Sequence, residues 1–195
     1  MPKIVDHDQR RRELARAAVR VIGRDGLDAA TTHAVAVECG WSTGVPKHYF
    51  RNKDELLYAA LRELELTNLE RFEAAEDEAT GFEAIRAAIV AMVTGDRDRL
   101  RVWISFLGRA CTDPAVATTM RRGIQSWTDR WAELVRRGQD DGSITRGLDP
   151  DQTAIELYAL VNGLGISSLF QTSPSASSTG GNVTFLDHLR SPSNA

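Results

Sequence analysis

Cysteine is scarce in this chain: Cys39 and Cys111 are the two such residues among 195. They lie too far apart to suggest a metal motif, and too few to make a disulfide framework. The opening stretch, MPKIVDHDQRRRELARAA, is charged and has no apolar core of the export type. Reduced thiols in a cytoplasm are therefore the expectation. No unbroken apolar run approaches the ~18 residues that cross a bilayer, so no membrane partner is expected. The formal net charge is −3, which announces no polyanionic partner for the molecule as a whole. Catalytic signatures are missing too. There is no nucleophile elbow, phosphate loop, HExxH or metal spacing, and Gly163-Leu164-Gly165 lacks both a preceding strand and a third glycine. The carboxylates Glu63, Glu65, Glu70, Glu73, Glu76, Asp77 and Glu78 read as a solvated helix face. Enzymatic chemistry, a cofactor and a metal are not expected.

Helical periodicity is abundant, and strand alternation is nearly absent. Leu14, Ala17, Ala18, Val21 and Ile22 share one face of a helix that stops at Asp25-Gly26. Two short helices follow, at about 32–39 and from Ser42 to before Arg51. Asn52 then caps a long helix, with Glu55 spaced to reach back to the cap. Further helices are expected near 82–94, 97–111, 114–139 and 150–171, the last two opened by Asp113-Pro114 and Asp149-Pro150. A ninth is expected over about 182–190. The fold class is all-α with about nine helices. Residues 1–52 form an N-terminal three-helix module, and 53–190 form a helical ligand-binding and dimerisation domain. Ser173 to Gly181 (SPSASSTGG) reads as a flexible loop, and 191–195 as a disordered tail.

The segment 31–50, TTHAVAVECGWSTGVPKHYF, is the informative one. Two short helices joined at a glycine make a helix-turn-helix, whose second helix can enter a major groove about 12 Å wide. Ser42, Thr43, Gly44, Val45 and Lys47 sit on its early turns, and Val35, Ala36 and Cys39 can pack inward. Thr31 and Ser42 are cap-type residues that can meet phosphate, and Lys53 adds positive charge at the next helix start. Charge is skewed the same way: residues 1–60 carry ten Lys/Arg against eight Asp/Glu, and the remainder carries fourteen against nineteen.

Gly40, Trp41, Ser42, Gly44, His48, Tyr49, Phe50, Lys53 and Leu56 stand in one register. In that register the chain resembles the TetR family of one-component regulators. The resemblance implies that Thr31 and Thr32 start the second helix against the DNA backbone. It implies that Ser42, Thr43, Gly44, Val45 and Lys47 face the groove, with His48, Tyr49 and Lys53 on phosphates. Pro46 departs from the pattern, because the family has a helix-friendly apolar residue there. A proline past the first turn loses a hydrogen bond and crowds a carbonyl, so a tight start or a local distortion is expected.

From Trp103 to Leu189 the chain resembles BetI-type regulators, through VWISFLGRACTDP, LVNGLGISSLF and FLDHL. The resemblance implies a homodimer through the last two helices, with Leu157, Val161, Leu164, Leu169, Leu186 and Leu189 at the interface. Such a dimer presents two reading helices to near-palindromic double-stranded operator DNA. Trp103, Phe106, Met120, Trp127 and Trp131 lie on facing stripes and read either as plain core or as an effector pocket for an apolar or amphipathic small molecule. Clustered tryptophans can cage a quaternary ammonium ion. The reading is a ligand-responsive repressor. An activator, or a ligand-binding protein with DNA binding impaired by Pro46, stays open.

Overall fold

Eight α-helices account for most of the chain in this computed structural model, which describes residues 7–77, 79–94, 97–170 and 184–190. They are α1 (His7–Asp25), α2 (Thr32–Glu38), α3 (Val45–Tyr49), α4 (Lys53–Asp77), α5 (Gly81–Val93), α6 (Arg97–Ala110), α7 (Pro114–Asp140) and α8 (Pro150–Phe170). Two 3₁₀ segments, Leu27–Ala29 and Thr184–Leu189, complete the order. The all-α class is as the periodicity dictates. The ninth helix, expected over 182–190, is a 3₁₀ segment whose neighbour Arg190 bridges to Ile144. The loop expected at 173–181 and the tail at 191–195 lie outside the described residues.

Starts and stops follow local chemistry. Asp113 accepts the amides of Ala115 and Val116 (3.0 and 3.3 Å), and Asp149 those of Asp151 and Gln152 (2.9 and 3.0 Å). In both cases the proline behind the cap has no N–H to satisfy. Asn52 Oδ1 accepts the Glu55 amide at 2.8 Å, as a cap should. The reciprocal bond is displaced by one residue, since Glu55 Oε2 takes the amide of Arg51 at 2.9 Å rather than that of Asn52.

Packing divides the chain into two units. The first comprises Met1–Thr67 and Asp96–Thr118, the second Asn68–Gly95 and Thr119–Ala195. The division between the units runs through α4 after Thr67, and α6 groups with the N-terminal helices. The reason is a close crossing: a Cβ placed on Gly23 of α1 would lie 2.5 Å from Asp98 Cβ and 3.0 Å from its main chain. The buried face of α1, from Leu14 to Ile22, forms the centre of this unit with Leu56, Leu57, Leu61 and Leu64.

The second unit is built on Phe72, Phe82, Ile85, Ile89, Trp131, Leu134, Val135 and Leu157. Thr145 ties the last segment to it, its amide donating to Leu189 O at 3.0 Å and its hydroxyl to Arg190 O at 3.0 Å. Leu157, Val161, Leu186 and Leu189, expected at a dimer interface, are instead buried in the core of their own chain, with half-buried Leu164 packed on them. Leu169 is half-buried as well. Helical spacing explains the correction. Leu157, Val161 and Gly165 recur every four residues and turn inward together, which leaves Ile155 (53 % exposed), Ile166 and Phe170 (80 %) on the other side. Apolar on both sides, α8 is also long and apolar enough to cross a membrane by length and composition, although no run in it is unbroken.

Leu157→Ala is expected to cost about 2–5 kcal/mol of stability, because it opens a cavity in the core. Urea unfolding at fixed protein concentration checks this; a loss below about 1 kcal/mol would remove Leu157 from the core.

Candidate nucleic-acid interface

The turn between α2 and α3 is closed by backbone geometry that glycine permits. Gly40 has φ +67°, a left-handed conformation that costs a residue with a Cβ more. It allows Trp41 N–H to donate to Ala36 O (2.9 Å) and Gly40 N–H to Val37 O (3.0 Å), the paired bonds of a Schellman stop. At the other end of α2, Thr31 Oγ1 accepts the Ala34 amide at 3.1 Å, so the expected cap is in place.

The second helix starts late. Ser42, Thr43 and Gly44 form a tight turn, with Val45 N–H on Ser42 O at 3.0 Å, and α3 proper runs only from Val45 to Tyr49. Pro46 is therefore the second helical residue, where no intrahelical partner is missing, and it is buried. The local distortion expected from Pro46 is absent, because the late start puts the proline in the first turn, where an α-helix accommodates it. The helix beyond it closes normally, with Phe50 N–H on Pro46 O at 2.9 Å.

Arg11 of α1 fixes the far end. Its Nη1 donates to Tyr49 O at 2.6 Å, its Nη2 to Glu55 Oε1 at 3.1 Å, and its guanidinium lies 4.6 Å over the Phe50 ring. Tyr49 is half-buried and packs on His7, ring centroids 4.5 Å apart. With Pro46 and Phe50 turned inward, Ser42, Thr43, Gly44, Lys47 and His48 are left exposed, and Val45 is half-buried. Of the residues expected on phosphate, Thr31 is exposed, Thr32 is half-buried, and Lys53 donates to Asp28 O at 2.8 Å. His33 is exposed, as a solvated helix residue should be.

The positive charge of the N-terminal region is largely spent internally, which the residue counts did not reveal. Arg16 donates to buried Glu63 (2.6 Å), and Arg20 and Arg24 converge on Glu38 (2.7 and 3.0 Å). Glu63 is thus no solvated carboxylate, and burial raises the carboxyl of Glu65 above its ordinary value. Arg20 first, then Arg24, hold the Glu38 carboxyl below its ordinary value. Of the two cysteines, Cys111 is exposed and Cys39 is half-buried, its thiol pushed up by desolvation.

The aromatic stripe separates. Trp103 (half-buried) and Phe106 (buried) belong to the first unit. Met120, Trp127 and Trp131 belong to the second, where Phe72 meets both tryptophans edge-on at 5.5 and 4.9 Å.

A helix-turn-helix with an exposed polar edge, carried on an all-helical chain, defines a DNA-binding regulator, and comparison with known proteins gives its family. Residues 14–60 match the profile of bacterial regulatory proteins of the tetR family, and residues 79–180 that of the BetI-type transcriptional repressor C-terminal domain. The HTH-type transcriptional regulator PksA of Bacillus subtilis strain 168 is 30% identical over 173 residues, covering 87% of this chain and 83% of that one. BetI 2 of Chromohalobacter salexigens is 31% identical over 173 residues (84% and 79%). The structure of a transcriptional regulator from Saccharomonospora viridis in complex with choline superposes with TM-score 0.74 at 26% identity, covering 86% of this chain and 88% of the other. The chain belongs to the TetR family of transcriptional regulators, with a C-terminal region of the BetI type.

The depressed Glu38 carboxyl has a consequence for acid stability. A carboxylate with its folded value below the unfolded one stabilises the fold above the unfolded value, near 4.5, and loses that contribution as pH falls through the folded value. Glu38→Gln should therefore lower the melting temperature at pH 7, and the gap from the parent should narrow as pH falls below the ordinary carboxylate range. A gap that does not change with pH would show that the two arginine contacts add nothing.

Proposed function

We propose that this regulator is a cytoplasmic, homodimeric repressor that leaves a near-palindromic operator when an apolar or amphipathic small molecule binds. The observation that carries the reading is the exposed edge Ser42-Thr43-Gly44 with Lys47 and His48, standing over buried Pro46 and Phe50. An edge of small polar groups suits base edges in a major groove, and Lys47 suits a guanine or a phosphate. Tyr49 and Lys53 flank it as backbone contacts, and Thr31 and Thr32 meet the strand from the start of α2. Ile155, Ile166 and Phe170 supply the face on α8 for the second copy. Two reading helices then span successive major grooves about 34–36 Å apart.

The Phe72, Trp127 and Trp131 cluster is the effector-facing candidate within the second unit, and the choline-bound neighbour makes a quaternary ammonium the first ligand to try. Ligand binding that favours another helix separation releases DNA, and by linkage DNA weakens ligand binding equally.

Lys47→Ala and Tyr49→Phe should each weaken binding to the chain's own upstream DNA by at least about 1 kcal/mol, roughly fivefold, with unchanged circular dichroism. Unchanged affinity in both would move the reading surface elsewhere. Ile166→Glu should give monomers in sedimentation velocity at micromolar concentration, since it sets a charge against its symmetry mate. Titration with choline should quench or shift tryptophan emission and release DNA; no response in either signal would exclude a quaternary ammonium effector.

A further inference from the structure

The acids around the reading helix are almost all matched by a guanidinium. Asp25 meets Arg24 (2.8 Å), Glu38 meets Arg20 and Arg24, Asp54 meets Arg109 (2.7 Å), and Glu55 meets Arg11 (3.1 Å). Asp28 differs. Its side chain is fully exposed, and among the described residues the one cation it approaches is Lys53, whose Nζ lies 3.9 Å from Asp28 Oδ1. Lys53 is anchored by the main-chain oxygen of Asp28 at 2.8 Å rather than by the carboxylate. The 3₁₀ turn around Asp28 is closed by main-chain bonds alone, Ala30 N–H on Leu27 O (3.4 Å) and Thr31 N–H on Ala29 O (2.7 Å). Among the described residues the Asp28 carboxylate thus caps nothing and closes nothing. What it does have is a charge beside the ammonium that opens α4.

We propose that Asp28 is an electrostatic brake on DNA binding, acting through Lys53. The proposal rests on the reading of this face as the DNA-contacting one. A phosphate docked on Lys53 uses the two ammonium protons left free by Asp28 O. It then sits within a Debye length (about 8 Å at physiological salt) of the Asp28 carboxylate. The carboxylate repels that phosphate and screens the one ammonium placed to hold it. The brake is independent of sequence, because it acts on the backbone contact and touches no base.

The test is a double-mutant cycle on the full-length chain. Binding of a random-sequence duplex of about 30 base pairs, and of a duplex selected by the protein from a random pool, is followed by fluorescence anisotropy over a salt series. Asp28→Asn keeps the main-chain anchor and removes the charge. It should tighten binding to both duplexes roughly threefold at low salt and steepen the salt dependence. With Lys53→Ala already in place, the gain should vanish, while urea midpoints show that every variant folds. No gain from Asp28→Asn while Lys53 is present, or an equal gain with and without Lys53, overturns the brake. If the parent binds neither duplex, the DNA-binding reading fails and takes the brake with it. A parent that binds while Asp28→Asn does nothing overturns the brake alone.

Discussion

A helix of five residues lies well below the length at which main-chain hydrogen bonds sustain a helix in water. The reading helix, Val45–Tyr49, therefore has no stability of its own, and its position is set by what grips it. Arg11 is the principal grip. One guanidinium holds the last carbonyl of the helix, lies over Phe50 and meets Glu55 at the head of α4. At the near end, the left-handed Gly40 sets the exit angle from α2. Buried Pro46 and Phe50 set the rotation about the axis, and so decide which side chains point outward. The exposed Ser42–His48 edge is the consequence.

The same logic governs charge. A chain with net charge −3 cannot hold DNA by a general excess of cations. Most α1 arginines are committed to carboxylates within the first unit, where they fasten α1 to α2 and α4. Surface pairs of this kind contribute little energy one by one. Their effect is geometric, because they hold a small module to one shape while leaving a few cations for phosphate. On the proposed reading, recognition depends on fit at a narrow polar edge more than on bulk attraction.

The sensing half is organised by α8. Its inner side completes a core with Phe82, Ile85, Ile89 and Leu134, and its outer side leaves large apolar groups exposed. A helix of that kind is incompletely buried in a single chain, and a second copy covering Ile155, Ile166 and Phe170 would complete it. Phe72 and Trp131 of the aromatic cluster are part of the core that α8 completes, and Trp127 packs against it.

Much of this was legible in the residues. Periodicity gave the helices, Asn52, Asp113 and Asp149 marked their starts, and the Gly40–Leu56 register identified the family, because these are local properties of spacing and capping. Which side of α8 faces inward was not legible: on a helix apolar all round, pattern carries no directional signal, and Leu157 and Ile155 look alike. Nor could composition say which cations were free. Arg16, Arg20 and Arg24 count toward the positive excess of residues 1–60 until Glu38 and Glu63, distant in sequence, arrive beside them. Pro46 shows both limits at once. Residue spacing alone put the proline deep enough in a helix to cost a hydrogen bond. The folded chain starts α3 at Val45, so Pro46 falls in the first turn, where there is no bond to lose.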